Sequence, residues 1–295
     1  MQLKLILCPI DFSEFSIRAY QYALSLGEHY QAKLLALHIV ELWKYPFADY
    51  AASGGDLANV FRALHQGGEE RLREFVTRHC HHPIQPQLKV DQGNASDLIL
   101  SFAQDREVEL IVMGTHGRRG FDRLVLGSTT DRVMRRASCP VLVISKPVRE
   151  STVSGRAESH VHRLRRILYC TDFSQNSERA LGYAISATEE YDAELTLLNV
   201  MDADVHQPTV KERIATYTRQ LDKLIPGERS KTLKLGTVVR LGKPYEQIVQ
   251  YAVEGEIDMI TMAVRGAGAL DRAVFGSTTY RVIQLGPCPV LAVPV

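Results

Sequence analysis

Hydrophobic and polar positions follow two alternating patterns along the chain. Short apolar runs, such as 3–8 and 34–40, have the length and composition of buried strands. Between them, apolar residues recur every three or four positions, as in 13–28, which predicts amphipathic helices. The further predicted elements of the first half are helices at 68–79, 96–104 and 128–136 and strands at 87–90, 109–113 and 140–144. The second half repeats this order, and such alternation predicts a parallel sheet with helices on both faces.

The chain carries one module twice. Residues 6–13 align with 167–174 at a spacing of 161, and a glycine pattern that begins at Gly114 recurs from Ala263 at a spacing of 149. The first copy therefore holds about 12 more residues, which we place in 42–55. Residues 147–163 are polar and lack apolar periodicity, as expected of an exposed linker. The predicted organisation is a first domain at 1–146, a linker at 147–163 and a second domain at 164–295.

Length and charge restrict the class of protein. A chain of 295 residues fits two domains of about 150 residues, each able to bury a core without disulfides or metals. The net charge of +1 gives no reason to expect a nucleic-acid partner. The first apolar run reaches Pro9 and Asp11 too early for a signal peptide, and no stretch approaches the roughly 18 apolar residues of a membrane helix. We therefore expect a cytoplasmic protein whose five cysteines are reduced, buried thiols.

The first glycine pattern has the features of a phosphate-binding site. It follows the apolar run 110–113 and ends where Ser128 opens a helix, and the amides at a helix N-terminus favour anions. Gly114 and Gly117 would let main-chain N–H groups approach a phosphate. Asp11 and Gly114 both stand at the carboxyl ends of predicted strands, where doubly wound sheets bind ligands. The alternative is that the glycines only shape a turn and that Ser128 only caps a helix.

These segments resemble the universal stress proteins, in the tandem form that carries two such domains in one polypeptide. The resemblance covers nearly the whole chain except the linker and residues 42–55. It implies that each half is an α/β, doubly wound domain with a five-stranded parallel sheet in the order 3-2-1-4-5 and helices on both faces. It also implies ATP or AMP as the bound nucleotide, with or without Mg2+. The implied binding residues of the first half are Pro9, Ile10, Asp11, Ile39, Met113, Gly114, His116, Gly117, Gly127, Ser128, Thr129 and Thr130.

The same resemblance assigns roles within this set. Pro9, Ile10 and Ile39 would line the adenine, and Asp11 would hold ribose or a metal-bound phosphate. Met113, Gly114, His116 and Gly117 would wrap ribose and the phosphates, and residues 127–130 would hold the distal phosphates. The corresponding second-half set is Thr171, Asp172, Val200, Met262, Ala263, Arg265, Gly266, Gly276, Ser277, Thr278 and Thr279. It departs from the pattern at Ala263, which would weaken the site if the position needs positive φ or a close main-chain approach. Arg265 replaces the histidine and can itself pair with phosphate, so nucleotide binding by the second half is left as an alternative.

No catalytic residue is predicted. The chain has no Walker-type G-x4-GK[ST] motif, no SGGxDS motif and no G-x-S-x-G motif. Their absence argues against a P-loop NTPase, an adenylating ligase and a hydrolase, respectively. We expect a stress-response regulatory module whose state depends on a bound adenine nucleotide. One alternative is a tandem scaffold that acts without nucleotide. Another is slow ATP hydrolysis or phosphotransfer, in which Asp11 and His116 orient a metal and water.

Three further segments carry predictions. The cluster His79–His82 (with Cys80 between) is expected to be a histidine-rich helix end rather than a metal site, since adjacent side chains diverge. The aromatic insert at 42–50 is either a lid or partner-binding segment over the pocket, or a loop over the module's own core. The apolar last strands, 141–145 and 290–295, are expected to pair within the chain as an intramolecular pseudo-dimer, and a homodimer remains an option.

Overall fold

The computed structural model describes residues 3–44, 56–80, 83–115, 126–145, 164–201, 210–225, 227–265 and 276–294. The first half contains β1 Leu5–Pro9, α1 Glu14–Tyr30, β2 Lys33–Val40, a 3-10 turn Leu42–Lys44, α2 Leu57–His79, β3 Gln87–Gln92, α3 Ala95–Asp105, β4 Leu110–Gly114, α4 Ser128–Arg136 and β5 Val141–Ile144. The second half contains β6 Arg166–Cys170, α5 Gln175–Tyr191, β7 Glu194–Met201, α6 Val210–Lys223, α7 Gly227–Ser230, β8 Lys234–Leu241, α8 Pro244–Glu254, β9 Met259–Ala263, α9 Ser277–Leu285 and β10 Val290–Val293.

The strands form one sheet that runs through both halves. The ten strands lie in the order β3-β2-β1-β4-β5-β10-β9-β6-β7-β8. Each half therefore has the predicted order 3-2-1-4-5, and the pairs within a half are parallel. The halves meet at an antiparallel pair in which Leu142 of β5 lies opposite Leu291 of β10. The predicted pairing of the two last strands within one chain is thus confirmed.

Helices cover the sheet on both faces. One core cluster holds buried residues of α1, α2, α5 and α6, and the other holds those of α3, α4, α8 and α9. The two strands that form the junction, β5 and β10, are buried along their whole length, as expected of their continuous apolar runs. The ends of α1 and α5 also meet across the junction, where the His29 ring stacks on Tyr191 at 4.2 Å between centroids and His29 Nε2 lies 3.1 Å from Glu190 Oε1.

Helix α2 is the main difference from the prediction. It begins at Leu57, not at residue 68, because Asp56 caps its first turn and Gly67 and Gly68 lie inside it. Two adjacent glycines lower helix propensity, so the sequence alone understates the helix. Gly68 packs closely against the sheet, since a Cβ there would lie 3.1 Å from the side chains of Val40 in β2 and Val90 in β3. The other first-half boundaries agree with the prediction to within two residues.

Candidate functional site

The candidate site of the first half lies at the carboxyl ends of β1 and β4. In this sheet β2 continues from β1 on one side and β5 from β4 on the other, so the connections leave these two central strands in opposite directions. This is the topological switch point at which open α/β sheets bind ligands. The second half has the same switch point between β6 and β9. The fold therefore provides two equivalent locations, and the side chains decide what each one holds.

Asp11 lies in a tight turn between β1 and α1. The half-buried carboxylate accepts a hydrogen bond at Oδ1 from the Ser13 amide at 3.0 Å. Phe12, between them, has a left-handed backbone with φ +65°, which is uncommon for a residue with a side chain. Ser13 then caps α1 by accepting from the Ser16 amide. The hydrogen bond from Ser13 therefore fixes the position of the carboxylate at the end of the strand.

The second half repeats this turn. Asp172 Oδ1 accepts from the Ser174 amide at 3.1 Å and from the Ser174 hydroxyl at 2.6 Å. Phe173 has φ +60°, matching Phe12. Asp172 is more exposed than Asp11, but its local geometry is the same. Both predicted aspartates thus occupy equivalent places at a switch point.

Helix α4 begins at the same edge as Asp11, with glycine as its cap. Gly127 has φ −59° and ψ 138° and no side chain that could bond the first-turn amides. Its own N–H donates to the Thr115 carbonyl at 2.7 Å, and the buried Thr130 hydroxyl donates to the Gly114 carbonyl at 2.8 Å. Two of the predicted donors are therefore used inside the protein. The amides of Ser128 and Thr129 remain at the positive end of the helix, where an anion is favoured.

Helix α9 begins in the same way. The Gly276 amide donates to the Val264 carbonyl at 3.1 Å, and the Thr279 hydroxyl donates to the Ala263 carbonyl at 2.9 Å. Gly276 has φ −61° and ψ 121°, close to the values at Gly127. Ser277 is exposed and Thr278 half-buried, like Ser128 and Thr129. The departures from the pattern at 263 and 265 therefore leave this helix start unchanged.

Helix packing gives a reason for Gly114 besides the predicted approach of a phosphate. A Cβ at Gly114 would lie 2.6 Å from Phe15 Cβ and 2.9 Å from the Phe15 carbonyl carbon of α1. Its backbone has no positive φ. Ala263, the repeat equivalent of Gly114, is buried. The repeat equivalent of Phe15 is Asn176 of α5. Ala263 belongs to the core cluster on the α5 side, so the second half accepts a Cβ at this position, and the weaker second site stays a prediction.

We predict that Gly114→Ala destabilises the protein. Forcing a methyl group against the α1 main chain should lower the free energy of unfolding by about 1–3 kcal/mol. Gly182→Ala is the control, because a Cβ at Gly182 of α5 meets nothing within 4 Å. It should be neutral or raise stability by about 0.5–1 kcal/mol. Urea unfolding measures both, and a wild-type midpoint for Gly114→Ala would contradict this packing argument.

The predicted adenine-lining residues do not all lie together. Ile10 is buried in the core cluster on the α1 face. Half-buried Ile39 instead packs against the cluster on the α3 and α4 face, which includes Met113, a residue predicted beside ribose and the phosphates. Pro9 is half-buried at the end of β1. The apolar surface on the α4 side is therefore supplied by Ile39 and Met113, while Ile10 supports the strand end from the other face. Val200 and Met262 correspond to that pair in the second half and also belong to the α8 and α9 side.

Arg265 contacts the other half of the chain. Its Nη2 lies 3.4 Å from the Arg135 carbonyl, near the C-terminal end of α4. A cation is favourable at that end of a helix. The predicted phosphate partner of the second half is thus engaged across the junction. Thr171 is likewise internal, because its hydroxyl accepts from the Phe173 amide at 2.9 Å.

Some predicted residues lie outside the described parts of the chain. These are His116, Gly117 and Gly266 of the glycine patterns, residues 45–55 of the insert, His81, His82 and the linker. His79, at the end of α2, packs against Phe75 with 4.9 Å between ring centroids. Within the described residues, no group of three or more His, Cys, Asp or Glu side chains is arranged to hold a metal.

The five cysteines are free thiols, and four of them are buried. Burial raises the pKa of Cys139 to about 11 and that of Cys288 to about 12. These thiols are therefore protonated near neutral pH and lack the thiolate that nucleophilic catalysis needs. Cys80 differs from the prediction because it is only half-buried at the end of α2.

Sequence reasoning missed a second glycine pair. Gly93 and Gly242 precede α3 and α8 with φ +152° and +133°, conformations that favour glycine. The Gly93 amide donates to the Val40 carbonyl at 3.1 Å, and the Gly242 amide to Met201 at 2.9 Å. Both loops therefore turn at the carboxyl edge beside the site. Their spacing is 149 residues, the same as that of the glycine patterns, and this was the signal that could have found them.

Comparison with known proteins agrees with this architecture. The family model of the universal stress proteins matches residues 3–145 and 163–294, so the chain belongs to that family, with two such domains in tandem. A universal stress protein of Methanocaldococcus jannaschii is 31% identical over 147 residues, or 50% of this chain and 85% of that protein. One from Mycolicibacterium smegmatis is 22% identical over 299 residues, or 98% and 96% of the two chains.

A solved structure shares the whole fold. The crystal structure of a universal stress protein from Archaeoglobus fulgidus matches 100% of this chain and 99% of its own, with a TM-score of 0.74 and 22% identity. Such a match shows the tandem fold. Among the helices of the described residues, none is long and apolar enough to span a membrane.

Proposed function

We propose that the first half binds an adenine nucleotide, ATP or AMP, and that the chain is a stress-response regulatory module that responds to it. The observation that carries this proposal is the meeting of two features at one switch point. Asp11 is fixed at the end of β1, and the glycine-capped start of α4 follows the neighbouring strand β4. A helix N-terminus favours phosphate, and a fixed carboxylate suits a ribose hydroxyl or a Mg2+ ion held by phosphates.

The apolar part of the nucleotide has a corresponding surface. Half-buried Ile39 and Pro9 lie at the carboxyl edge of the sheet near Asp11. Ile39 packs against the core cluster on the α4 side, which contains the buried Met113. Apolar walls with few polar groups are typical of sites for a planar base. The resemblance of the glycine pattern to that of nucleotide-binding family members supports the same ligand. We place the ligand in the first half because Arg265, the predicted phosphate partner of the second half, contacts the Arg135 carbonyl of the first half.

Asp11→Asn tests the role of the carboxylate. Asparagine keeps the oxygen that accepts from the Ser13 amide, so the turn should persist while the charge is lost. We expect the affinity for Mg-ATP to fall about tenfold, or about 1.4 kcal/mol, with an unchanged unfolding midpoint. Equilibrium dialysis with labelled ATP, with and without Mg2+, measures this. A loss confined to Mg2+ would assign Asp11 to the metal, and an equal loss would assign it to ribose.

The matched control is Asp172→Asn in the second half. This aspartate accepts the corresponding bond from Ser174, so the same chemical change is made in the same local geometry. It should leave the affinity of the first-half site unchanged. If Asp11→Asn bound ATP as tightly as the wild type, the proposed place of the nucleotide would be refuted.

A further inference from the structure

His38 holds the residue that precedes Asp11. This buried side chain of β2 places Nδ1 2.8 Å from the Ile10 carbonyl oxygen. Because a carbonyl only accepts, Nδ1 carries the hydrogen and donates it. The Ile10 amide in turn donates to the Leu37 carbonyl at 2.8 Å. Both main-chain polar groups of Ile10 are therefore fixed by β2, one through the backbone and one through a side chain.

His38 also contacts the residue that follows Asp11. Its ring lies against the Phe12 ring, with 4.4 Å between centroids and a tilt of 50°. Phe12 is the residue with φ +65°, and such a backbone persists only where surrounding contacts hold it. His38 thus acts on both sides of Asp11, through the carbonyl of residue 10 and the side chain of residue 12.

The second half makes the same contact with a different residue type. Asn199 of β7 donates from Nδ2 to the Thr171 carbonyl at 2.9 Å, and the Thr171 amide donates to Leu198 at 3.0 Å. His38 and Asn199 are separated by 161 residues, the spacing of Asp11 and Asp172. In both side chains the donor nitrogen is bonded to Cγ, so the two N–H groups occupy similar places. The shared feature is an N–H at the δ position, not an imidazole.

We propose that His38 is a positioning residue of the nucleotide site. It acts by donating from Nδ1 to the Ile10 carbonyl, which fixes the turn that presents Asp11. It needs no contact with the ligand, and Asn199 has the equivalent role at Asp172. This inference rests on the proposed nucleotide binding by the first half.

The test compares two substitutions at one position. His38→Asn supplies the donor that the second half already uses, whereas His38→Leu removes it and leaves a buried carbonyl unpaired. Calorimetric titration with Mg-ATP should give His38→Asn a Kd within about twofold of wild type and His38→Leu a Kd about tenfold higher. Asn199→Leu makes the equivalent change in the other half. It controls for general destabilisation and should leave the Kd of the first-half site unchanged.

Each contrary outcome has a distinct meaning. If wild type binds and His38→Leu binds equally well, the positioning role is wrong while the proposed function stands. If His38→Asn is as weak as His38→Leu, the N–H donor is not the feature that matters, and the inference is also overturned. If wild-type protein binds no Mg-ATP, the proposed function fails and this inference fails with it.

A second measurement keeps the inference testable even if His38→Leu does not fold. Nitrogen-15 chemical shifts of the His38 ring in the wild-type protein report which nitrogen carries the hydrogen. We expect a protonated Nδ1, since that atom faces the Ile10 carbonyl. A neutral ring protonated only at Nε2 would exclude the hydrogen bond and overturn the proposal without any nucleotide present.

Discussion

Gly127→Val should remove nucleotide binding from the first half and leave the fold intact. The backbone of Gly127, at φ −59° and ψ 138°, lies in a region that valine adopts readily. Its amide can still donate to the Thr115 carbonyl. The valine side chain would instead occupy space at the start of α4, where we place the phosphates, and would exclude them sterically. We expect Kd for Mg-ATP to rise roughly a hundredfold, or about 2.8 kcal/mol, with little change in the unfolding midpoint.

Gly276→Val is the matched control for this prediction. Gly276 starts α9 with nearly the same backbone angles, and a Cβ there would lie 3.1 Å from the Val264 carbonyl. The substitution is therefore at least as demanding on the fold, yet it is remote from the proposed ligand. It should leave the first-half Kd unchanged. Unchanged affinity in Gly127→Val, or loss of that affinity in Gly276→Val, would contradict the assignment.

Leu142→Asp should have the largest effect on stability. Leu142 lies in β5 with 2% of its surface exposed, opposite Leu291 at the antiparallel junction of the two halves. A carboxylate there enters an apolar cluster, and burying an unpaired charge is strongly unfavourable. We expect the free energy of unfolding to fall by more than about 4 kcal/mol, measured by urea unfolding followed by circular dichroism.

Leu88→Asp makes the same chemical change at the edge of the sheet. Leu88 lies in β3 and is 41% exposed, so the new carboxylate stays hydrated. We expect a change within about 1 kcal/mol. Equal destabilisation by the two substitutions would show that the junction is not the buried centre of a continuous sheet.

The architecture was predictable because its signals are local and repeated. Alternating apolar runs and helical periods give a parallel sheet, and two copies of one motif give two domains. The apolar last strands also predicted the junction between β5 and β10, since an exposed apolar edge would be a liability. The start of α2 was missed because Gly67 and Gly68 suppress the local helical signal, whereas the close packing of Gly68 against Val40 of β2 cannot be read from the local sequence.

The site was predictable only in part, because its support comes from contacts between distant segments. Asp11 and the start of α4 follow from motifs at strand ends. The closeness of Gly114 to Phe15 depends on how α1 crosses β4, which no local pattern specifies. The contact of Arg265 with Arg135 exists only once the two halves have joined. The His38 and Asn199 pair was hidden because the two residue types differ although their N–H groups have one role.

The most direct test of nucleotide binding is calorimetric titration of the nucleotide-stripped, full-length protein with Mg-ATP. The proposed function predicts saturable binding of at least one nucleotide per chain, at the first-half switch point between β1 and β4. A stoichiometry of two would show that the second half, with Ala263 accommodated, binds as well. The absence of saturable heat at any concentration would contradict the account and leave the glycines as turn-forming residues of a scaffold.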